Sequence, residues 1–475
     1  MTPRRRVAAL AAGLLLLPGC TSFADRAAAP AATSTAAPAA GAPGDAGGCT
    51  DRAEPDPDRP VVDLEFRLED DLRTVTGTET VEFTPDRPVE ELVFRLVPNG
   101  PEPAAAGSRL VVDAVRGEDV DDAGYEALGA AEPGGQHVVR LDRRLAAGER
   151  TEVALDFTLT LGEGGFDRVG AEADVSWWAS GAPLLAWEPG VGWAEDPFVE
   201  VSGETTTSPA ADTTISVSAP QDLTVLMTGD QDPPSPAAGG RRTWTSAEPV
   251  ARDVSVAVGR FTTEERTTPE GVRVTAGVLP GAERGAADLA DATVTAIDEL
   301  SGFLGPFPYR TLTVPLLPDH GGGIEYPSSI LQATPSTSVL VHEVAHMWFY
   351  GMVGNSQFRD PWLDEAFATW AEAVVDPSSG DRLEAALDEV DGEVGSAMDE
   401  FTGQRDYVDR VYGKGGAALL RAREVAGADA FDAAVRCYVD ATAWGIATPD
   451  DVADALDGLP AAADVLVGAG ALPPG

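Results

Sequence analysis

From about residue 60 to 265, apolar and polar positions alternate with the period of two that a half-buried strand requires. The run TEVALDFTLTL sets Val153, Leu155, Phe157, Leu159 and Leu161 on one face, and ELVFRLV repeats the pattern at Leu92, Phe94 and Leu96. Turn-rich separators such as PDRP, PNG and GEGG break these runs at short intervals, which predicts an all-β sandwich or saddle-like domain. After residue 265 the pattern changes: ADLADATVTAIDELSGFLG is helical and RTLTVPLL strand-like, so a separate α+β domain is expected. Near the end, Thr448 before Pro449, with Asp450 and Asp451 following, marks a helix start: a cap, a fixed φ, and acids at the positive end of the dipole.

The amino terminus follows another grammar. Arg4, Arg5 and Arg6 precede an apolar stretch ending LLLLP, too short to span a bilayer, so residues 1–19 read as a signal peptide. Leu17, Pro18, Gly19 and Cys20 resemble the box of bacterial lipoprotein signals, although Pro18 stands where a small residue is usual. The resemblance implies lipid on Cys20 and a protein anchored to the cell membrane, ordinary secretion being the alternative; both outcomes are extracytoplasmic. Residues 20–55, rich in Ala, Pro and Thr, are expected to form a flexible tether, followed by a β-rich domain over 56–265 and the α+β domain over 266–475. Of three cysteines, lipidation of Cys20 leaves Cys49 and Cys437, either one disulfide or two buried thiols.

Composition narrows the function classes. Of 475 residues 43% are hydrophobic, enough for a sizeable core, and 78 acidic against 33 basic side chains give a net charge of −45. That excess repels phosphate backbones, so no nucleic-acid partner is expected.

The chemistry concentrates in SVLVHEVAHMWFYG. His342 and His346, four apart in a helical pattern, present both rings on one face to a single metal ion, with Glu343 beside them. A third ligand should come from a crossing element, and RDPWLDEAFATWAE offers Glu365, with Asp360 as helix cap and Pro361 at the first helical position. Two histidines and a glutamate leave zinc a fourth position for water; cobalt or manganese also suits such a set. Glu343 is then the general base, and Glu372, seven residues beyond Glu365, either orients a ligand histidine or is a solvated acid.

HEVAH, an 18-residue gap and a glutamate within WLDEAFATWAE resemble the aminopeptidase N family of gluzincin zinc metallopeptidases. GGGIEYPSS is similar to that family's Gly-x-Met-Glu-Asn motif, which implies that Glu325 binds the α-amine of a peptide substrate and that Gly322 and Gly323 line its path. VYGKGG resembles the family's Tyr-x-Lys-Gly motif, implying that Tyr412 stabilises the oxyanion. Lys414, the single lysine of the chain, receives no role. The likeness implies one Zn(2+) per chain held by His342, His346 and Glu365, catalysis by Glu343 and Tyr412, and a β-rich domain before a thermolysin-like catalytic domain, without the large helical domain that usually follows. Departures are Ile324, Tyr326, Asp364 and Ala366, none of them a ligand or the base.

The expected activity is zinc-dependent removal of amino-terminal residues from peptides. Two alternatives stay open: a zinc endopeptidase with the same core, and a catalytically silent surface-binding lipoprotein. Glu188 is an ordinary loop acid unless it supplies a second amine-binding group. His320 is expected in a solvated loop, and His137 as structural.

Overall fold

The alternation in TEVALDFTLTL becomes the strand Thr151–Thr160, with Val153, Leu155, Phe157 and Leu159 all buried. It runs between Thr74–Phe83 and Arg109–Arg116 in a seven-stranded sheet that continues through Val61–Leu68, Ala211–Pro220, Arg241–Ala251 and Asp230–Gln231. Two four-stranded sheets, one containing Val89–Arg95 and Gln136–Leu145, the other Val175–Ala179 and Ser255–Gly259, and a two-stranded pair, Trp187–Glu188 with Gly192–Trp193, are the other sheets of the β-rich region. Phe66 packs against Phe157 and Trp178 at ring separations of 5.8 and 5.7 Å in the core between the sheets. Gly77 makes room for that ring, since a Cβ there would lie 2.3 Å from Phe157 Cζ.

These features belong to a computed structural model that describes Cys49 and residues 51–163, 165–203 and 207–474. The expected signal peptide, Cys20 with its lipid, and most of the tether lie outside the described residues. Among those described, no helix is long and apolar enough to cross a membrane.

The second region is built on a five-stranded mixed sheet ordered Thr262–Thr267, Arg273–Val278, Thr311–Leu316, Ser329–Ala333 and Gly322–Tyr326. Its first strand starts at Thr262, so the changeover precedes the boundary expected after residue 265. The helix Ala286–Leu304 buries Leu289, Ile297, Leu300 and Leu304 at the spacing of one helical face. The helices Thr337–Ala345 and Trp362–Val375 then pack on one another within a core that includes Trp348, Trp362 and Trp370. The helix after the RDP turn begins at Trp362, one residue later than expected, so Pro361 rather than Asp360 holds the cap position, and the Asp360 carbonyl accepts from Asn355 Nδ2 at 3.0 Å and from the Leu363 amide at 3.1 Å. Thr448 does hold the cap position, where its hydroxyl and amide both donate to the Asp451 carboxylate, at 2.8 and 2.7 Å.

The tether ends earlier than its composition suggests. Cys49 forms a disulfide with Cys437, Arg52 Nε donates to Asp440 at 2.9 Å, and the Ala53 amide donates to the Asp440 carbonyl at 2.8 Å. Residues from Cys49 onward are therefore docked on the second region, because a covalent link and an ion pair outweigh a coil-like composition. Arg252 joins the two regions: from the β-rich side it donates to the carbonyls of Tyr350 at 2.7 Å and Gly445 at 3.2 Å.

Candidate zinc peptidase site

Ser336 starts the first ligand helix by accepting from the Val339 amide at 3.4 Å, which aims His342 and Glu343 into the cavity. His346 closes that helix, one turn below His342. His342 Nε2 and His346 Nε2 lie 3.2 Å apart, and Glu365 Oε2, from the crossing helix, is 3.2 Å from the first and 3.3 Å from the second. A tetrahedral ion with bonds of about 2.0–2.1 Å needs donor atoms roughly 3.3 Å apart, so this triangle has the edge length of one face of a zinc site. Imidazole nitrogens at that separation need a cation or proton between them, and the orientation of His346 favours the ion. Its Nδ1 faces the Phe349 carbonyl at 3.1 Å and donates there, leaving Nε2 as the free lone pair.

Glu372 takes the orienting position. Its Oε2 is 3.7 Å from His342 Nδ1, and its Oε1 accepts from Ser338 at 2.6 Å and Ser379 at 2.9 Å. Burial would raise the Glu365 carboxyl, but His346 and His342 hold it well below the usual range, so it stays an anionic ligand. Its other oxygen accepts a hydrogen bond from the Tyr412 hydroxyl, whose ring stacks over His342 at 5.9 Å.

Glu343 is not in the triangle. It is buried, its Oε2 has no hydrogen-bond partner, and burial pushes its carboxyl up to about 8. A dication held by the triangle would lower that value, in the direction a general base requires. Gly323 explains how it fits: a Cβ there would sit 2.6 Å from Glu343 Cγ, so the edge strand can lie against that side chain only without one of its own. Gly322 lines the same cavity, and Glu325, three residues on, is 4% exposed with Oε1 unpaired and 4.0 Å from His346 Nδ1.

One cavity of about 410 Å³ contains Gly322, Gly323, Glu325, His342, Glu343, His346, Glu365 and Tyr412. The expected zinc, catalytic and substrate residues among the described ones thus come together. Glu188 stays outside it: it is buried and paired with Arg359. His320 is partly covered, 2.9 Å from Glu172 and parallel to Phe166 at 6.4 Å. His137 is buried edge-on to Tyr125 at 4.5 Å, as a structural residue would be. Phe166, Asp167 and Arg168 from the β-rich region, with Ser202 and Gln404, also line the cavity. The first four sit in loops without periodicity and Gln404 opens the short helix Gln404–Tyr407, and only the fold brings them near the histidines.

Comparison with known proteins agrees with this geometry. Residues 325–466 match the Peptidase family M1 domain. Aminopeptidase M1-B of Oryza sativa is 24% identical over 237 residues, covering 42% of this chain and 26% of that protein. Aminopeptidase N of Lactobacillus helveticus is 33% identical over 138 residues, covering 25% of this chain and 16% of that protein. The chain thus spans about a quarter or less of the length of these relatives. An M1 zinc metallopeptidase from Deinococcus radiodurans superposes with a TM-score of 0.66 at 19% identity, covering 88% of this chain and 95% of its own. With the HEVAH helix and the distant glutamate meeting at one cavity, residues 325–466 form a Peptidase family M1 domain with the metal-binding groups of a zinc metallopeptidase, and the chain is similar to aminopeptidases that carry this domain.

Proposed function

We propose that the protein is an extracytoplasmic zinc aminopeptidase, tethered through lipid on Cys20, that releases amino-terminal residues from peptides. One observation carries the exopeptidase reading: oxygens of Glu325 and Glu343 and a ring nitrogen of His346 all lie within 4.8 Å of one another. An α-amine is separated from its own carbonyl carbon by only about 2.5 Å, two covalent bonds. An ammonium held by Glu325 therefore delivers the first peptide bond to Glu343 and the ligand triangle. A substrate-bound variant of the Deinococcus metallopeptidase holds a Tyr-Ser-Ala substrate, and a free tripeptide is the substrate type this reading expects.

His342, His346 and Glu365 would hold the ion; when bound, zinc supplies Lewis-acid polarisation of the scissile carbonyl and acidifies water. Glu343 takes the proton from the attacking water and delivers it to the leaving amine. Tyr412 turns its hydroxyl from Glu365 toward the developing oxyanion and donates there. Glu325 fixes the ammonium, and Gly323 leaves room for Glu343 to reach the bond.

The test compares hydrolysis of one peptide with that of the same peptide acetylated at its amino terminus, using the zinc-loaded protein. Cleavage of the free form alone is expected. Equal cleavage of both makes it an endopeptidase and reassigns Glu325; cleavage of neither makes it a binding protein on a peptidase scaffold.

A further inference from the structure

Lys414 is the single lysine of the chain, and the reaction above does not use it. It lies on the π-helical turn Val408–Gly415 that carries Tyr412 and leads into the helix Gly416–Ala426. The side chain is 9% exposed, and Nζ donates to the Gly392 carbonyl at 2.6 Å. Arg410, on the same turn, donates through Nε and Nη2 to the next carbonyl, that of Glu393, at 3.0 and 2.7 Å, and also bonds Ser396. Two cations from one turn thus hold two consecutive carbonyls. The backbone accommodates this because Gly392 has φ 91°, and a Cβ there would lie 2.7 Å from Arg410 Nε.

The opposite side of the turn is equally confined. A Cβ on Gly415 would lie 2.7 Å from Ala366 Cβ, and one on Gly416 2.8 Å from Thr369 Cγ2, so the turn rests directly on the helix that supplies Glu365. A π-helical turn is rare and relies on its surroundings to persist. Here it is held between the 392–396 segment and the Glu365 helix, and Tyr412 projects from it to Glu365 and His342.

We propose that Lys414 is a positioning residue for Tyr412: by holding the Gly392 carbonyl it fixes the π-helical turn so that the phenol hydroxyl stays at the ligand triangle. The inference rests on the oxyanion role given to Tyr412. Methionine at position 414 keeps the apolar stem but leaves that carbonyl without its donor, so the turn relaxes and the hydroxyl drifts. A misplacement of this kind lowers kcat by roughly tenfold or more, since an ångström of displacement in a reacting geometry costs up to about a hundredfold.

The experiment measures kcat, KM, zinc content and Tm for Lys414→Met, Tyr412→Phe and the double variant. Expected are a kcat loss in Lys414→Met with KM and zinc unchanged, partial recovery in Lys414→Arg, and no further loss when Lys414→Met is added to Tyr412→Phe. Equal losses in both backgrounds, or a lowered Tm with unchanged kcat, overturn the role of Lys414. Should Lys414→Met fail to fold, the same two-background comparison is made with Lys414→Arg, and a loss carried undiminished into the Tyr412→Phe background overturns the proposal. Unchanged kcat in Tyr412→Phe alone overturns the oxyanion role and with it the basis for this inference, a result distinct from equal losses in the two backgrounds.

Discussion

Both regions bury ionisable side chains, and they do so differently. In the β-rich region Glu79, His137, Glu248 and Asp253 are buried on several strands and turns. His137 has neither ring nitrogen bonded and Glu79 has one oxygen unpaired. In the catalytic region the buried groups Glu325, Glu343, His346 and Glu365, with His342, surround one cavity. An orphaned polar group costs stability wherever it is buried, but several converging on a point present a ready-made environment to an ion and a charged substrate. Arrangement rather than burial separates structure from function here. The first kind of group should therefore move stability, the second turnover.

The largest effect that tests this difference is Glu343→Gln. Loss of a general base lowers kcat by about 10²–10⁴-fold, while zinc content measured by atomic absorption and Tm should stay near the parent's. Loss of zinc instead would place Glu343 among the ligands and blur the distinction between triangle and base.

On the other side of the comparison, Phe157→Ala removes the ring that fills the space over Gly77 in the β-rich core. Such a truncation costs about 3–5 kcal/mol, read from denaturant unfolding, and leaves kcat per folded molecule unchanged. A fall in kcat of the folded fraction would show that the β-rich core transmits strain to the cavity.

The smallest effect is the pH dependence carried by His137. Burial lowers its pKa from 6.5 to about 4, so the unfolded chain binds a proton that the folded one refuses between those values. Its contribution is full above about pH 6.5 and falls as pH drops toward 4, by at most about 3 kcal/mol at 1.36 kcal/mol per unit. His137→Phe, which loses no hydrogen bond, should flatten that part of the stability curve and leave the pH profile of kcat in place. An unchanged stability curve would mean that His137 takes up its proton without opening the fold.

How much was legible beforehand varies with the range of the signal. The strand Thr151–Thr160 could be read residue by residue because alternation is local and one face must be buried. His342, Glu343 and His346 were legible because helical geometry fixes their relative directions, and the match of Glu365, Glu325 and Tyr412 to family motifs placed them as well. The tether's end at Cys49 was not, because the disulfide and the Arg52 ion pair join it to residues almost four hundred positions away. Nor was the Asp360 cap predicted correctly, since the RDP turn is held by Asn355 and the helix begins later.

The sequence by itself determined the elements, the metal-binding helix and the chemical types of the catalytic groups, because these depend on spacing within a few turns of chain. Only the tertiary structure decided the triangle's edge length, the pairing of Glu188 with Arg359, the entry of Phe166, Asp167 and Arg168 into the cavity, and the anchoring of Lys414 on Gly392. Those depend on how surfaces far apart in the chain meet, and such contacts follow from packing and steric fit that no local pattern records.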